Sequence, residues 1–374
     1  MIQQKFENDM DDKVKVIALY LPQYYPFKEN DEWWGKGFTE WTNVGKAKPL
    51  FRGHYQPKVP ADLGYYDLRL PEIAEQQAEL ARRAGVYAFC YWHYWFGEGK
   101  ELLDMPFKRA LKTGKPDFPF CLGWAAESWM AKYWNKDNTY GGKILIEQRF
   151  PGEEDNEKHF YSCLDAFKDP RYVKVDEKPF FLLYGLKNHP DVAGFINQWN
   201  NLIKKSGVAD SFYFVGYANT KEEIMNCKGA KFDAISLNPL LVSPKFSGNS
   251  RYNIKIYFER LVDKLFKRPM RVDYEEIVDN CWNDEYLKED FIPAIIPNWD
   301  HSSRSGIRGS VIINNTPEKW KKVCEKVVTN TRKKHNKFIL LKSWNEWGEG
   351  NYMEPDLKYG NQYIDALGDC VNKK

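Results

Sequence analysis

The sequence predicts an α/β fold, a single (β/α)8 TIM barrel with a long aromatic-rich cap loop after its first strand, and three observations carry that expectation. Eight short apolar, β-rich runs recur along the chain, and nearly every pair is separated by a helical pattern. Each run is followed by a polar or aromatic residue (Gln23, His93, Trp124, Tyr184, Tyr217, Asn238, Asn298, Asn345), whereas the joints leading into the runs carry ordinary Gly, Lys and Pro. A barrel keeps its active site at the C-terminal ends of its strands, which is where those residues would fall. The length, 374 residues, suits one barrel with insertions. An open doubly wound sheet is the rival, but it would show a Gly-rich phosphate loop after its first strand, and Pro22-Gln-Tyr-Tyr-Pro26 cannot form one. Residues 1–13 read as a tail and 14–374 as one catalytic domain.

Taken in order, Val14 to Leu21 is β-rich and stopped by Pro22. Tyr24 to Tyr66 is dense in Pro, Gly and aromatics, with neither a period of two nor of 3.6, and its aromatic content argues for an ordered cap over one rim. Pro71 to Ala84 is a helix, with Pro at its start, Ile73, Gln77, Leu80 and Ala84 on one stripe, and Gly85 as its stop. Strands follow at Val86–Tyr91, Phe118–Gly123, Pro179–Tyr184, Phe212–Tyr217, Phe232–Leu237 and Phe291–Ile296. Helices are expected near Leu102–Lys112, Glu157–Phe167, Val192–Lys204, Ile254–Phe266, Tyr274–Asn283 and Lys319–Lys333, with a polar Gly141-Gly142 loop before the second of them. The eighth strand is Ile339-Leu-Leu341, bounded by lysines.

Composition narrows the chemistry. Hydrophobic residues at 43% and charged residues at 29% describe a globular chain, and a net charge of +3 supplies no basic stripe for nucleic acid. No run of about 18 apolar residues exists, so no membrane span is expected. The N-terminus lacks a charged region followed by an apolar one, and the seven Cys are scattered within apolar patterns, which together suggest a cytoplasmic protein with reduced thiols. No C-x-x-C or H-E-x-x-H occurs, so neither metal nor cofactor is expected, and nothing marks an obligate protein partner. Aromatic residues reach 16%, with 14 Trp and 23 Tyr, and flat amphipathic rings suit sugar faces as well as cores.

The chemistry concentrates after the eighth strand, in Ser343-Trp-Asn-Glu-Trp-Gly-Glu-Gly350. On one helical turn Glu346 and Glu349 would share a face with Cβ atoms about 5–6 Å apart. Carboxyls about 5–5.5 Å apart serve retaining glycosidases, and a gap of about 6.5–9.5 Å serves inverting ones. The candidate substrate-binding residues come from the strand ends: Tyr20 and Gln23 after the first strand, Trp41 in the cap, Trp92, His93 and Tyr94 after the second, Trp124 and Glu127 after the third. Tyr184 and Tyr217 follow the fourth and fifth, Asn298, Trp299 and Asp300 the seventh, and Trp344, Asn345, Trp347 and Glu354 the eighth. Glu40 reads equally well as a capping residue, and Arg304, Gly306 and Arg308 read as a solvated loop ahead of a phosphate site.

Six stretches also carry a resemblance. Tyr20-Leu-Pro-Gln23, Asn30 to Asn43 (N-D-E-W-W-G-K-G-F-T-E-W-T-N), Gly53-His-Tyr-Gln-Pro57, Leu63-Gly-Tyr-Tyr-Asp-Leu68, Phe89-Cys-Tyr-Trp-His-Tyr-Trp-Phe96 and Trp344-Asn-Glu-Trp-Gly-Glu-Gly350 resemble the WbsX-like proteins, relatives of glycoside hydrolase family 99. The resemblance runs from roughly residue 14 to 365 and implies a (β/α)8 barrel acting on an oligosaccharide or polysaccharide, retaining and endo-acting on an α-linked mannose-type glycan. In family 99 the first glutamate of N-E-W-x-E deprotonates the sugar 2-hydroxyl, which attacks the anomeric carbon, and the second protonates the leaving oxygen; carried over, these are Glu346 and Glu349. The chain departs from the pattern at Gly348, where family 99 has His, and at Trp124-Ala-Ala-Glu-Ser-Trp129, where relatives read W-A-N-E-N-W. The alternatives are a glycosyltransferase of surface-polysaccharide (O-antigen or capsule) assembly, for which a barrel would be an unusual host, and a carbohydrate-binding module, disfavoured by the carboxyl pair.

Overall fold

A computed structural model describes residues 13–131, 143–185, 187, 189–246 and 254–373. Nearly all of the expected N-terminal tail and the Gly141-Gly142 loop lie outside them. Nine parallel strands form the barrel among the described residues: β1 (Lys15–Tyr20), β2 (Val86–Trp95), β3 (Phe120–Ala125), β4 (Lys178–Tyr184), β5 (Tyr213–Ala218), β6 (Ala234–Leu237), β7 (Phe291–Ile292), β8 (Ala294–Ile295) and β9 (Phe338–Leu341). They are ordered β7-β6-β5-β4-β3-β2-β1-β9-β8.

Nine strands and the eight expected are the same count. The run Phe291–Ile296 is interrupted at Pro293, which has no N–H to give a ladder. Its first half, β7, pairs with β6 and its second, β8, pairs with β9, so one broken strand joins both edges of the sheet. The Pro293 carbonyl accepts from Leu340 N at 2.9 Å and holds the joint. Ile339, Leu340 and Leu341 are fully buried, each contributing about 1.5–3 kcal/mol of hydrophobic stabilisation, which is why a run this apolar takes a barrel strand.

Helices occupy the connections, among them Pro71–Arg83, Met105–Thr113, Glu153–Lys168, Val192–Lys205, Ile254–Leu265, Tyr274–Asn280 and Pro317–Thr331. Lys221–Gly229, between β5 and β6, was not expected: its nine residues carry a polar pattern with weak periodicity, and Thr220 caps it by accepting from Glu223 N at 3.1 Å. A C-terminal helix, Gln362–Asn372, also went unseen in the sequence. All seven cysteines are buried and free. No helix of the described residues is long and apolar enough to cross a membrane.

The cap contains two helices of seven residues each, α1 (Lys28–Trp34) and α2 (Glu40–Lys46), too short to display a period. Gly35, at φ +101°, ends the first, and a capping box built on Thr39 starts the second. Trp41 pins the segment: its indole donates to Tyr66 O at 2.7 Å, and its ring packs on Tyr24 at 4.7 Å and Trp347 at 5.6 Å. The cap therefore lies on the same face as the stretch following β9.

Candidate active site

After β9 the chain folds into a small hairpin in which Asn345–Glu346 pair antiparallel with Asn351–Tyr352. Its tip is a single 3-10 turn, Trp347–Glu349, closed by Gly350 at φ +54°. A Cβ at Gly350 would stand 2.6 Å from Asp300 Cβ, so the position needs glycine for space as well as for its backbone. Asn345 anchors the hairpin to the end of β1, accepting from Leu21 N at 2.7 Å and donating to Leu21 O at 3.0 Å. The Tyr24 hydroxyl donates to the Asn345 carbonyl and accepts from Trp347 N. Glu354 lies beneath, accepting from Gln77 Nε2 and Trp347 Nε1, each at 2.6 Å, and from the Tyr66 hydroxyl at 3.0 Å.

This scaffold brings Glu346 and Glu349 together, within reach of a shared proton. Their surroundings differ. Glu346 accepts from Trp92 Nε1 at 3.0 Å, and burial pushes its carboxyl up to about 7, against the pull of Lys342 and with the help of the Glu349 charge. Burial opposes ionisation of Glu349 too, but the Arg304 guanidinium, followed by Lys342 and His301, holds that carboxyl well below the usual carboxylate range. Arg304 Nη1 lies 2.6 Å from Glu349 Oε1, and Lys342 Nζ is shared, 3.6 Å from Glu346 and 3.7 Å from Glu349. The Arg304 contact therefore favours the charged form of Glu349.

The pair opens into a cavity of about 410 Å3 at the strands' C-terminal ends. Among the sequence candidates Gln23, Trp92, Tyr94, Glu127, Tyr184, Tyr217 and Trp299 line it. Tyr184 packs on Trp92 at 5.6 Å and on Tyr217 at 5.8 Å. Two residues of the lining keep an enclosed polar atom without a hydrogen-bond partner, the Tyr217 hydroxyl and Asn30 Nδ2. Trp33 and Trp34 from α1, with Trp129, make its aromatic outer wall.

The other candidates are used inside the protein. Tyr20 donates to Gln77 at 2.7 Å, Trp124 donates to the Trp95 carbonyl at 2.9 Å, and Trp344 is fully buried against Phe89. Asn298 holds both the N–H and the carbonyl of Tyr352, and Asp300 accepts from His54 at 2.8 Å and Gln56 at 2.7 Å. Like Trp41, Asn345, Trp347 and Glu354, these residues do not line the cavity; Asn298, Asp300 and Glu354 instead border a separate one of about 420 Å3. His93 stands outside as well. It alternates with Trp92 along β2, so its ring faces the helix Glu153–Lys168, where Nε2 lies 2.8 Å from His159 Nε2 and 3.6 Å from Cys163 Sγ. Burial, then Lys108, draws its pKa down to about 3, so it is neutral. His93, His159 and Cys163 offer three ligand atoms within 4.8 Å of one another, yet the His–His separation is that of a hydrogen bond.

Sequence reasoning missed several cavity residues. Arg304, read as solvated, is 12% exposed and bridges Glu349 to Glu40, whose Oε2 lies 2.9 Å from its Nη2. Lys342, seen as the boundary of a strand, has its ammonium 5.2 Å over the Trp299 ring and beside both glutamates. A strand-terminal Lys four residues before Glu346 was an available signal; the Glu40–Arg304 pair, 264 residues apart, had none.

Comparison with known proteins agrees with the fold. The family model described as Glycosyltransferase WbsX matches residues 16–367. Two proteins named Uncharacterized protein WxcX, from two strains of Xanthomonas campestris pv. campestris, are 32% identical over 365 residues, covering 96% of this chain and 50% of theirs. The chain thus spans about half the length of these curated relatives. Among solved structures, a glycoside hydrolase-like protein superposes with a TM-score of 0.60 at 14% identity, covering 97% of this chain and 95% of that one. The GH99 endo-alpha-mannosidase of Bacteroides thetaiotaomicron superposes with a TM-score of 0.52 at 16% identity, covering 96% of each chain. At such identities the likeness is one of fold.

Proposed function

The chain belongs to the family described as Glycosyltransferase WbsX, and we propose that it is a retaining glycoside hydrolase cleaving within an α-linked glycan of mannose-type or related sugars. The observation that carries this reading is the unequal setting of the carboxyl pair: Arg304 lies 2.6 Å from Glu349 and favours its charge, while burial favours the protonated form of Glu346, the division that acid–base cleavage of a glycosidic bond requires.

In this reading Glu346 protonates the departing glycosidic oxygen. Glu349 takes the proton of the sugar 2-hydroxyl, whose oxygen attacks the anomeric carbon as the bond to the leaving group breaks, giving a 1,2-anhydro sugar. Glu346, now ionised, takes a proton from water as that water opens the ring at the anomeric carbon, and Glu349 returns its proton to the 2-oxygen. Two inversions give net retention. Participation of the 2-hydroxyl comes from the resemblance to family 99; the assignment of acid and base comes from the charges around the pair. Tyr217 and Asn30 supply free polar groups for sugar hydroxyls, and Trp33 and Trp34 supply flat faces for a neighbouring sugar.

The family's description favours a second reading, sugar transfer from an activated donor. Charge weighs against a nucleotide donor in this cavity. Among the described residues lining it, the cations are Arg304 and Lys342, and both are already engaged by Glu40, Glu346 and Glu349, so a diphosphate would have to displace a carboxyl to reach either. The deciding experiment incubates purified protein with defined α-linked oligosaccharides, with and without nucleotide sugars, and follows products and anomeric configuration by NMR. Cleavage with retention and without nucleotide supports hydrolysis. Turnover seen only with a nucleotide sugar replaces that reading with transfer.

A further inference from the structure

We propose that Glu40 and Arg304 are a positioning pair through which the docked cap is coupled to the Glu346–Glu349 carboxyl pair. The inference rests on the reading of Glu346 and Glu349 as the reacting pair, and it concerns two residues that reading does not use.

The geometry is that of one guanidinium serving two carboxylates. Arg304, on the turn after β8, presents Nη1 to Glu349 Oε1 at 2.6 Å; its Nη2 and Nε lie 2.9 and 3.2 Å from Glu40 Oε2. Lysine could not do the same, because its charge is a single point and lacks the planar fork. Glu40 sits in the first turn of α2, and its side chain is 2% exposed. A carboxylate buried so deeply is costly unless paired, so its presence calls for a counter-ion, and Arg304 is the counter-ion within reach.

Gly348 supplies the space for this arrangement. A Cβ there would overlap Glu40 Oε2 and lie 3.0 Å from Arg304 Nε. The glycine at the fourth position of N-E-W-G-E is thus explained by the carboxylate–guanidinium contact behind it. The result links the cap to the chemistry: α2 is held by Trp41 against Trp347, Glu40 projects from it onto Arg304, and Arg304 faces Glu349. Without the guanidinium, Glu346 and Glu349 would compete for one proton with only Lys342, almost equidistant from both, and His301 to distinguish them.

The other titratable groups facing this cluster are known. Lys46 and Tyr24 act on Glu40 and Arg304 from the cap. Tyr94 from β2, Tyr184 from β4 and Tyr217 from β5 face the pair. Burial keeps these tyrosines protonated through the working range, so they add no competing titration.

The test compares Arg304→Met, Glu40→Gln and Gly348→Ala with the parent protein. Two readouts are used: the carboxyl titrations of Glu346 and Glu349, followed by 13C NMR of glutamate-labelled protein, and the pH profile of glycan cleavage. Removing the cation raises both carboxyl titrations, and removing Glu40 frees the whole guanidinium charge for Glu349 and lowers both. Opposite shifts of at least half a pH unit are expected, and Gly348→Ala should follow Glu40→Gln because it displaces that carboxylate. Loss of stability alone cannot move the titrations up in one variant and down in the other. Unshifted titrations in folded variants, or Arg304→Met and Glu40→Gln moving them the same way, overturn the proposal. The NMR arm needs no substrate, so a protein inactive on every glycan would defeat the functional reading while still deciding the role of this pair.

Discussion

Arg304 Nη1 stands 2.6 Å from Glu349 Oε1, whereas Glu346, three residues earlier, receives the Trp92 indole N–H at 3.0 Å. The guanidinium favours the anion at Glu349 and burial favours the neutral acid at Glu346, so two residues of identical type on one turn are pushed toward opposite protonation states.

The first consequence is a pH profile. Above about 7 Glu346 loses its proton and the acid is gone, so kcat/KM should fall with a limb near that pH. The opposing limb, protonation of Glu349, should lie below the usual carboxylate range because Arg304 and Lys342 outweigh burial. Activity is therefore expected to form a plateau on the acid side of neutrality. A rise in kcat/KM from pH 7 to 9 would contradict the assignment.

Leaving-group dependence tests the roles separately. Glu346→Gln should lose roughly 100- to 10,000-fold on native linkages and much less on activated aryl glycosides, whose leaving oxygen needs no proton. Glu349→Gln should lose heavily on both. The opposite result would restore the order implied by the family resemblance. A 2-deoxy substrate should not be turned over, since its missing hydroxyl is the attacking group.

Stability should record the same strain. A carboxyl raised to about 7 in the folded state and titrating near 4.5 when unfolded makes the native state bind the extra proton between those values, so stability falls as pH rises through that window. Glu346→Gln mimics the protonated acid. It should stabilise the protein by on the order of 1–3 kcal/mol at pH 8, with the gain disappearing below about pH 4.5, as read from urea unfolding at both pH values. No gain at pH 8 would mean that Glu346 carries no such strain.

Trp33 forms part of the cavity wall and packs edge-on to Trp129 at 6.1 Å. Trp33→Ala should raise KM about 2- to 10-fold, the worth of one aromatic stacking contact, with kcat little changed. A change confined to kcat would place Trp33 in the chemistry itself.

Glu127 lines the same cavity and packs over Gly185, where a Cβ would meet its side chain. Glu127→Gln should weaken kcat/KM by at most about 2 kcal/mol without moving the pH limbs, since Glu127 would hold a substrate hydroxyl and take no part in the titration. Parental kinetics on the true substrate would return it to the role of a rim charge.

What the sequence determined by itself was everything local. Apolar runs ending in polar residues gave the strands and the face on which they end, because burial on both sides demands continuous apolar side chains and a catalytic rim does not. The cap was legible from its aromatic density, and the carboxyl pair from three-residue spacing on one turn. Tertiary structure decided what depends on distance. Pro293 turned one strand into two and closed the ring, which required β6 and β9 to be on either side. His93 and Trp92, adjacent in sequence, went to opposite faces of β2, one to a buried contact with His159 and one to Glu346. Asn345, Asp300 and Glu354 resembled residues of the Glu346 cavity in sequence but lie outside it, where they satisfy buried backbone and side-chain donors. The charges around Glu346 and Glu349 were beyond sequence altogether, since Glu40 comes from the cap and Arg304 from the turn after β8, and they meet only when the ring has closed.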